Sequence, residues 1–317
     1  MLEISTVNKG AELVSVKVDG IEKMHDGVEF WNRHSPVLFP IVWKLKNGKT
    51  IIDGNVYEMG QHGFARDMEF EKLSENSYVL KSNEETHKKY PYEFELYISH
   101  EVQKNKVITK YKVVNKDNKT MLFGLGGHPA YACEYSSGKY RLEFEDIEDK
   151  LEIYQLEEGL LKSNPEKLSK YFRENRIFLD KKTFEKDALI IKNINSSKVY
   201  LKTETKTILA FEFKKFPYLG VWSKPGAPFV CIEPWFNTTD PVDASGKFED
   251  KENILKLEPN DEFNCEYSVE FFSTILPIKL FGSFNSSFVF IITNSCGFNI
   301  YSSAILSSAI ILSIVKS

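Results

Sequence analysis

Two segments of the sequence each place a side chain that can transfer a proton beside a proline. In FGLGGHPAYAC, residues 123–133, His128 follows a glycine-rich stretch and precedes Pro129. Glycine permits close backbone approach or positive φ, and Pro129 biases the residue before it toward extended geometry. Because the unperturbed pKa of imidazole lies near physiological pH, His128 is a candidate general acid or base.

The second segment, PFVCIEPWFNTTD at residues 228–240, places Glu233 at the end of an apolar run. A buried carboxylate is costly unless it is paired or used, and burial raises its pKa toward a value that suits proton transfer. Trp235 follows two residues later and could supply an aromatic wall for a ligand. The alternative interpretation is a strand-end carboxylate that pairs with Lys or Arg.

Two further segments carry polar side chains that could hold hydroxyl groups of a ligand. QHGFARDMEF at residues 61–70 contains the hydrogen-bond donors His62 and Arg66, although a solvated surface loop is the alternative. In TFEKDALIIKN, residues 183–193, Asp187 stands at the start of an apolar run and could accept two hydrogen bonds. The alternative for Asp187 is a turn or cap residue.

The other histidines are predicted to be structural or exposed. His100 falls on the apolar phase of an alternating pattern, which favours a core histidine with satisfied hydrogen bonds. His25, His34 and His87 lie in polar contexts, and we expect them at the surface.

The elements that must position these residues are predicted to be β-strands. Asn47-Gly48 and Asp53-Gly54 are hairpin signals between apolar runs. Polar and apolar residues alternate in YEFELYISHEV and VITKYKVV, and QKNK joins them as a predicted hairpin. Further strands are predicted for YRLEFE, LEIYQL, KVYLKT, TILAFEF, FVCIEPW and CEYSVEFF. The best helical pattern begins at Asn164-Pro165 and is short. Together these signals predict an all-β fold, a large antiparallel β-sandwich.

Composition excludes several classes of protein. The 317 residues are 42% hydrophobic and 27% charged, which is typical of a soluble globular protein. The net charge of −4 lacks the basic excess of a nucleic-acid binder. Four cysteines form no CxxC pair, which argues against a zinc or thioredoxin-type site. The N-terminus has no basic region followed by an apolar run, so we expect a cytoplasmic protein with free thiols.

The last part of the chain differs in character. Beyond residue 270 there is no acidic residue, and 298–315 is an uncharged stretch of the length needed to span a membrane. We consider three interpretations: a membrane anchor, a hydrophobic segment packed on the sandwich, and translation of a shifted or read-through frame. The sequence therefore predicts a β-sandwich domain at 1–272 followed by an atypical tail at 273–317.

The segments together resemble the aldose 1-epimerase (galactose mutarotase-like) superfamily, in particular its LacX-like branch. The resemblance is carried by WNRHSPVLFPIVWKLKNG at 31–48, HGFAR at 62–66, GGHPAY at 126–131, KDAL at 186–189 and CIEPW at 231–235. They occur in the family's order and at similar spacings over residues 1–272. The arginine motif that galactose mutarotases proper carry upstream of their first histidine has no convincing copy here.

The resemblance implies a fold and a reaction. The family fold is a large antiparallel sandwich, called a supersandwich, and its members interconvert the α and β anomers of aldoses. By resemblance, Glu233 removes the proton from the C1 hydroxyl while His128 protonates the ring oxygen. The ring opens, the C1–C2 bond rotates, and the ring closes on the other face with the roles reversed.

The resemblance also implies the binding residues and the partner. His62 and Arg66 would hold the ring oxygen and hydroxyls, Asp187 would bind hydroxyls, and Trp235 would line the sugar site. The implied partner is a small sugar, an aldohexose or a hexose phosphate. The implied chemistry uses no metal and no redox cofactor.

Three alternatives remain open from the sequence. A hexose-6-phosphate 1-epimerase would need a fork of arginines, for which Arg33 and Arg66 are candidates. A non-catalytic carbohydrate-binding protein on the same fold would not need both Glu233 and His128. A glycosidase would need two carboxylates flanking one bond, which Asp187 and Glu233 could supply only at a suitable separation.

Overall fold

Antiparallel strands make up nearly all of the regular structure in a computed structural model that describes residues 1–272, 288–293 and 299–304. The first ten strands are β1 (Leu2–Thr6), β2 (Leu13–Val18), β3 (Ile21–Glu22), β4 (Val37–Leu38), β5 (Lys49–Ile52), β6 (Asn55–Glu58), β7 (Glu71–Ser74), β8 (Ser77–Lys81), β9 (Phe94–Gln103) and β10 (Lys106–Asn115).

The middle of the chain contributes shorter strands. They are β11 (Met121–Phe123), β12 (Gly126–Gly127), β13 (Ala130–Ala132), β14 (Tyr140–Phe144), β15 (Glu152–Tyr154), β16 (Leu156–Glu157), β17 (Leu160–Leu161), β18 (Phe172–Arg173), β19 (Arg176–Leu179), β20 (Leu189–Lys192) and β21 (Lys198–Lys202). The remaining strands are β22 (Thr207–Glu212), β23 (Tyr218–Trp222), β24 (Phe229–Trp235), β25 (Leu255–Leu257), β26 (Glu262–Phe271), β27 (Phe288–Thr293) and β28 (Asn299–Ala304).

Helix is limited to single turns in the described residues. One α-helical turn, α1, spans Glu84–His87. Short 3₁₀ turns lie at Lys46–Gly48, Ala65–Asp67, Tyr135–Ser137, Leu168–Lys170 and Phe248–Asp250.

Two large sheets dominate residues 1–272. One has ten strands in the order β18-β19-β14-β21-β22-β26-β10-β9-β8-β7. The other has the order β15-β20-β23-β24-β12-β4, with β13 also paired to β24. All pairings within both sheets are antiparallel, so the all-β, antiparallel prediction is confirmed.

The hydrophobic core lies between these sheets. Tyr131 of β13 packs against Phe211 of β22 and Phe271 of β26, with ring centroids 6.2 and 6.1 Å apart. One cluster of buried apolar residues draws on the inner faces of both sheets. This two-layer packing is that of a sandwich, in which alternate residues of each strand point inward.

The predicted hairpin of β9 and β10 is confirmed, with Lys104 at φ 59° in its turn. His100 on β9 is a buried core histidine, as expected. Its Nε2 lies 2.9 Å from the carbonyl oxygen of Ala11 and its Nδ1 lies 3.1 Å from the hydroxyl of Thr109. Both ring nitrogens therefore have partners inside the protein.

Two local predictions were wrong. The segment from Asn164-Pro165 forms only the 3₁₀ turn at Leu168–Lys170, whereas α1 forms because the Asn83 side chain accepts hydrogen bonds from the backbone at its N-terminus. His25 is buried rather than at the surface, because its ring packs 4.2 Å from that of Phe229.

Residues 273–317 form a separate unit by their contacts. Its described part is the antiparallel pair of β27 and β28. The anchor, packed-segment and read-through interpretations of the tail concern residues that lie mostly outside those described. Within the part of the chain that the structure describes, no helix has the length and apolar character needed to cross a membrane.

Candidate active site

Strand β24 carries Glu233 into the interior of the smaller sheet. Every residue of this strand is buried, because β23 flanks it on one side and β12 with β13 on the other. Glu233 itself is 0% exposed. The sequence signal was the apolar run FVCI, which continues into the carboxylate without a turn.

The register of the sheet sets Glu233 opposite His128. Gly126 of β12 pairs with Trp235, and the same register resumes in β13 from Ala130. His128 lies midway between Gly126 and Ala130, so it stands opposite Glu233, which lies midway between Trp235 and Cys231. Directly opposed residues of antiparallel strands project from the same face. The Nε2 atom of His128 accordingly lies 3.3 Å from Oε2 of Glu233.

Burial disfavours the charged form of both members of this pair. It raises the pKa of Glu233 well above its usual range; the Trp235 indole opposes the shift and the charge of Asp187 adds to it. Burial, with the nearby charge of Arg66, lowers the pKa of His128 to about 3. Among the described residues, neither carboxylate oxygen of Glu233 nor Nδ1 of His128 has a hydrogen-bond partner. The pair is thus free to bind groups of a ligand.

The backbone of Trp43 fixes the tautomer of His62. The Trp43 N–H donates to Nδ1 of His62 over 3.0 Å, and the His62 N–H donates to the Trp43 carbonyl over 2.6 Å. Because Nδ1 accepts, the hydrogen of the neutral ring is on Nε2. Burial lowers the pKa of His62 well below its usual value, and its ring lies edge-on to His128 at 5.3 Å. His62 therefore supplies a neutral N–H donor beside the pair.

Arg66 and Arg33 meet at one carboxylate. Arg33 Nη2 donates to Oδ1 of Asp67 over 2.7 Å, and Arg66 Nε lies 3.9 Å from the other oxygen of Asp67. Arg66 Nη2 donates to the carbonyl of Gln61, while its buried Nε has no hydrogen-bond partner in the described residues. Burial lowers the pKa of Arg66 to about 10, so it stays charged at neutral pH.

Asp187 lies two residues before β20 and has an unusual backbone conformation. Its φ is +91°, which is rare for a residue other than glycine, and strained backbone of this kind clusters at functional sites. Its Oδ1 accepts from the Ala188 N–H over 2.8 Å. Burial raises the pKa of Asp187, and its charge in turn raises that of Glu233. Asp187 therefore belongs to the same electrostatic cluster as Glu233.

Trp235 does not lie at an open surface on which a ligand could stack. Its side chain is fully buried, with Gly126 and Gly220 of the neighbouring strands against its ring. A Cβ at Gly126 would lie 2.8 Å from the indole, and one at Gly220 would overlap its six-membered ring. No face of Trp235 is open to stack on a ligand, whereas its buried indole N–H, which has no hydrogen-bond partner within 1–272, lies near Glu233.

Two aromatic residues that the sequence analysis did not single out surround His128. The Trp31 ring lies 4.7 Å from the His128 ring and the Trp222 ring lies 5.7 Å from it, edge-on. Both tryptophans are partly exposed. Trp31 opens the segment at 31–48, and Trp222 pairs with Cys231 in the ladder, which places it on the face of Glu233. The strand pairing, which the sequence did not provide, was needed to find them.

A family model and a similar curated protein both relate this chain to known proteins. Residues 1–256 match the family described as aldose 1-epimerase. The chromosomal protein LacX of Lactococcus lactis subsp. lactis is 30% identical over 278 residues, 82% of this chain and 93% of LacX.

Two solved structures are also similar. A galactose mutarotase related enzyme from Lactobacillus acidophilus is 32% identical with a TM-score of 0.79, covering 86% of this chain and 95% of that one. A galactose mutarotase-like protein from Lactobacillus casei ATCC 334 is 26% identical, also with a TM-score of 0.79, and covers 86% of this chain and 100% of that one.

Proposed function

The chain belongs to the aldose 1-epimerase family, and from this premise we propose that it interconverts the α and β anomers of a free aldohexose. The observation that carries the proposal is the buried juxtaposition of His128 and Glu233, with Nε2 and Oε2 3.3 Å apart. The two oxygens of a hemiacetal are bonded to one carbon. An acid and a base this close together can therefore each face one of them.

The pair holds the number of protons that the reaction needs. A neutral carboxyl with a neutral imidazole carries as many protons as a carboxylate with an imidazolium. Transfer of the Glu233 proton to Nε2 of His128 produces the base and the acid together. Glu233 then removes the C1 hydroxyl proton while His128 protonates the ring oxygen, and the open chain rotates about C1–C2 before the reverse transfers close it. This scheme uses neither a metal nor a redox cofactor.

The surrounding residues suit a sugar. Trp31 and Trp222 offer partly exposed rings that can pack on the C–H face of a pyranose. We propose that His62 Nε2 and Arg66 donate to the ring oxygen and hydroxyls, and that the free oxygen of Asp187 accepts from hydroxyls. In this proposal Trp235 positions Glu233 and does not contact the sugar. Residues 1–272 form the catalytic domain.

Polarimetry tests the proposal. Freshly dissolved α-D-glucose and α-D-galactose should mutarotate faster with the wild type. Glu233→Gln and His128→Asn should each lower this acceleration by about 10²–10⁴-fold, the usual contribution of general acid–base catalysis. His100→Gln, which changes a buried histidine outside the site, is the matched control. Unchanged rates in both site variants would remove these residues from the mechanism.

One observation raises a second substrate class, the hexose 6-phosphates: Arg33 and Arg66 both lie near the carboxylate of Asp67. A phosphate on C6 would need such a fork. However, Asp67 binds Arg33 directly, and the charge of Glu12 acts on Arg66, so two carboxylates balance the two guanidinium groups. This balance favours a neutral sugar, and we expect a higher kcat/KM for glucose than for glucose 6-phosphate. Acceleration with neither would favour a non-catalytic carbohydrate-binding protein.

A further inference from the structure

Cys231 lies on the same face of β24 as the acid–base pair. It precedes Glu233 by two residues, and residues two apart in a strand project from the same face. It also pairs with Ala130, two residues from His128. The Sγ of Cys231, a ring nitrogen of His128 and a carboxylate oxygen of Glu233 all lie within 4.8 Å of one another, and all three residues are buried. The proposed sugar reaction gives this thiol no role.

We propose that Cys231, His128 and Glu233 form a binding site for a thiophilic divalent cation such as Zn²⁺, which blocks the acid–base pair when it binds. Sulfur, nitrogen and oxygen are the three donors that Zn²⁺ takes from proteins, at about 2.0–2.3 Å. Small side-chain rotations would close the present separations to those of a shared tetrahedral ion. Three protein ligands leave a fourth position for water or a sugar hydroxyl.

The environment favours such an ion. Both carboxylate oxygens of Glu233 are buried without a hydrogen-bond partner among the described residues. Neither oxygen therefore has to give up a hydrogen bond in order to coordinate a metal ion. On binding, the thiol and carboxyl protons pass to solvent, and thiolate and carboxylate together cancel the charge of the cation. A neutral complex with a neutral imidazole avoids the cost of a net buried charge.

The donor set also predicts selectivity. A thiolate and an imidazole favour Zn²⁺, Co²⁺ or Cd²⁺, whereas Mg²⁺ and Ca²⁺ prefer sites made only of oxygen ligands. The blocking effect rests on the proposed function, because coordination would occupy a ring nitrogen of His128 and a carboxylate oxygen of Glu233, the two groups that transfer protons. Metal binding itself does not depend on that function.

Spectroscopy of the full chain with Co²⁺ tests binding separately from activity. We expect one equivalent of Co²⁺ to give a thiolate-to-cobalt charge-transfer band and the strong visible bands of a four-coordinate ion. The band should be lost in Cys231→Ser and Cys231→Ala, each checked for folding by circular dichroism. The matched controls Cys133→Ser, Cys265→Ser and Cys296→Ser should keep it. No band in the wild type, or a band that persists in folded Cys231 variants, would overturn the site.

Kinetics test the blocking effect. Zn²⁺ should inhibit mutarotation by the wild type, and a chelator should restore it. Cys231→Ser should keep its basal rate and need about tenfold or more Zn²⁺ for the same inhibition, since a lost ligand costs at least as much affinity as a lost supporting contact. Mg²⁺ should have no effect. Equal inhibition of wild type and Cys231→Ser, or equal inhibition by Mg²⁺, would overturn the blocking role. If mutarotation is absent but the cobalt band appears, only the proposed function fails.

Discussion

At the scale of single residues, the site contains ionisable groups that are buried, so water does not stabilise their charges. Glu233 and His128 shift in opposite directions for the same reason, since burial disfavours the charged form of each. Such groups are costly to folding, and their retention is typical of sites where chemistry needs a tuned pKa.

Replacement of Glu233 should therefore stabilise the fold as it removes activity. The pKa of this carboxyl is raised in the folded protein, so ionisation is easier in the unfolded chain. The stability of the wild type should fall as pH rises from the unfolded value of about 4.5 through the raised folded value. Glu233→Gln lacks this loss, so its advantage in urea denaturation should grow as pH rises above about 4.5. The exposed Glu75→Gln should show no such trend; an equal trend in both would contradict the explanation.

His100 predicts the opposite pH dependence. Burial lowers its pKa to about 4, whereas the unfolded residue titrates near 6.5. Acid therefore protonates the unfolded chain first. As pH falls from 6.5 to 4, protonation of His100 in the unfolded chain should lower the free energy of unfolding by about 3 kcal/mol. Below about pH 4 this residue should cause no further loss. His100→Gln should show a shallower decline in this window than the wild type. Parallel pH profiles for the two proteins would contradict this origin.

At the scale of elements, the ladder around β24 decides which side chains meet. The strands themselves were predictable, because alternation and turn residues marked β9, β10 and β24. Their pairing was not, since the register between β12, β13 and β24 depends on long-range packing. The sequence could therefore name His128 and Glu233 separately but could not show that they oppose each other. For the same reason it missed Trp31 and Trp222.

Gly220 tests how much the site depends on this packing. A Cβ at this position would overlap the buried ring of Trp235, and Gly220 also opposes Glu233 in the ladder. Gly220→Ala should cost about 1–3 kcal/mol of stability through overpacking and lower the rate of mutarotation. Gly60→Ala is the matched control, because a Cβ there meets no atom within 4 Å. Thermal denaturation and polarimetry of both variants measure the difference; equal behaviour would contradict the packing argument.

At the scale of the whole molecule, residues 1–272 hold both large sheets and every residue of the proposed site. The sandwich class followed from strand number and the scarcity of helices. The full order of ten strands in one sheet did not, because the pairings β19-β14, β14-β21, β22-β26 and β26-β10 join strands that are not consecutive in the chain.

A chain that ends at Phe272 should keep its fold and activity. Residues 1–272 form one compact unit by their contacts, and every residue of the proposed site lies within it. Circular dichroism, melting temperature and polarimetry of the shortened chain should match those of the full chain. An unfolded or inactive product would show that the tail is part of the catalytic fold.

The aromatic residues around the proton-transfer pair also make the site visible to light. The chain has four tryptophans, and all of them, Trp31, Trp43, Trp222 and Trp235, contact or adjoin the histidines and the glutamate of the site. Intrinsic tryptophan fluorescence therefore reports on this one region without any label. Sugar or metal titrations can be followed by emission alone, and quenching by acrylamide should distinguish the two partly exposed rings from the two buried ones.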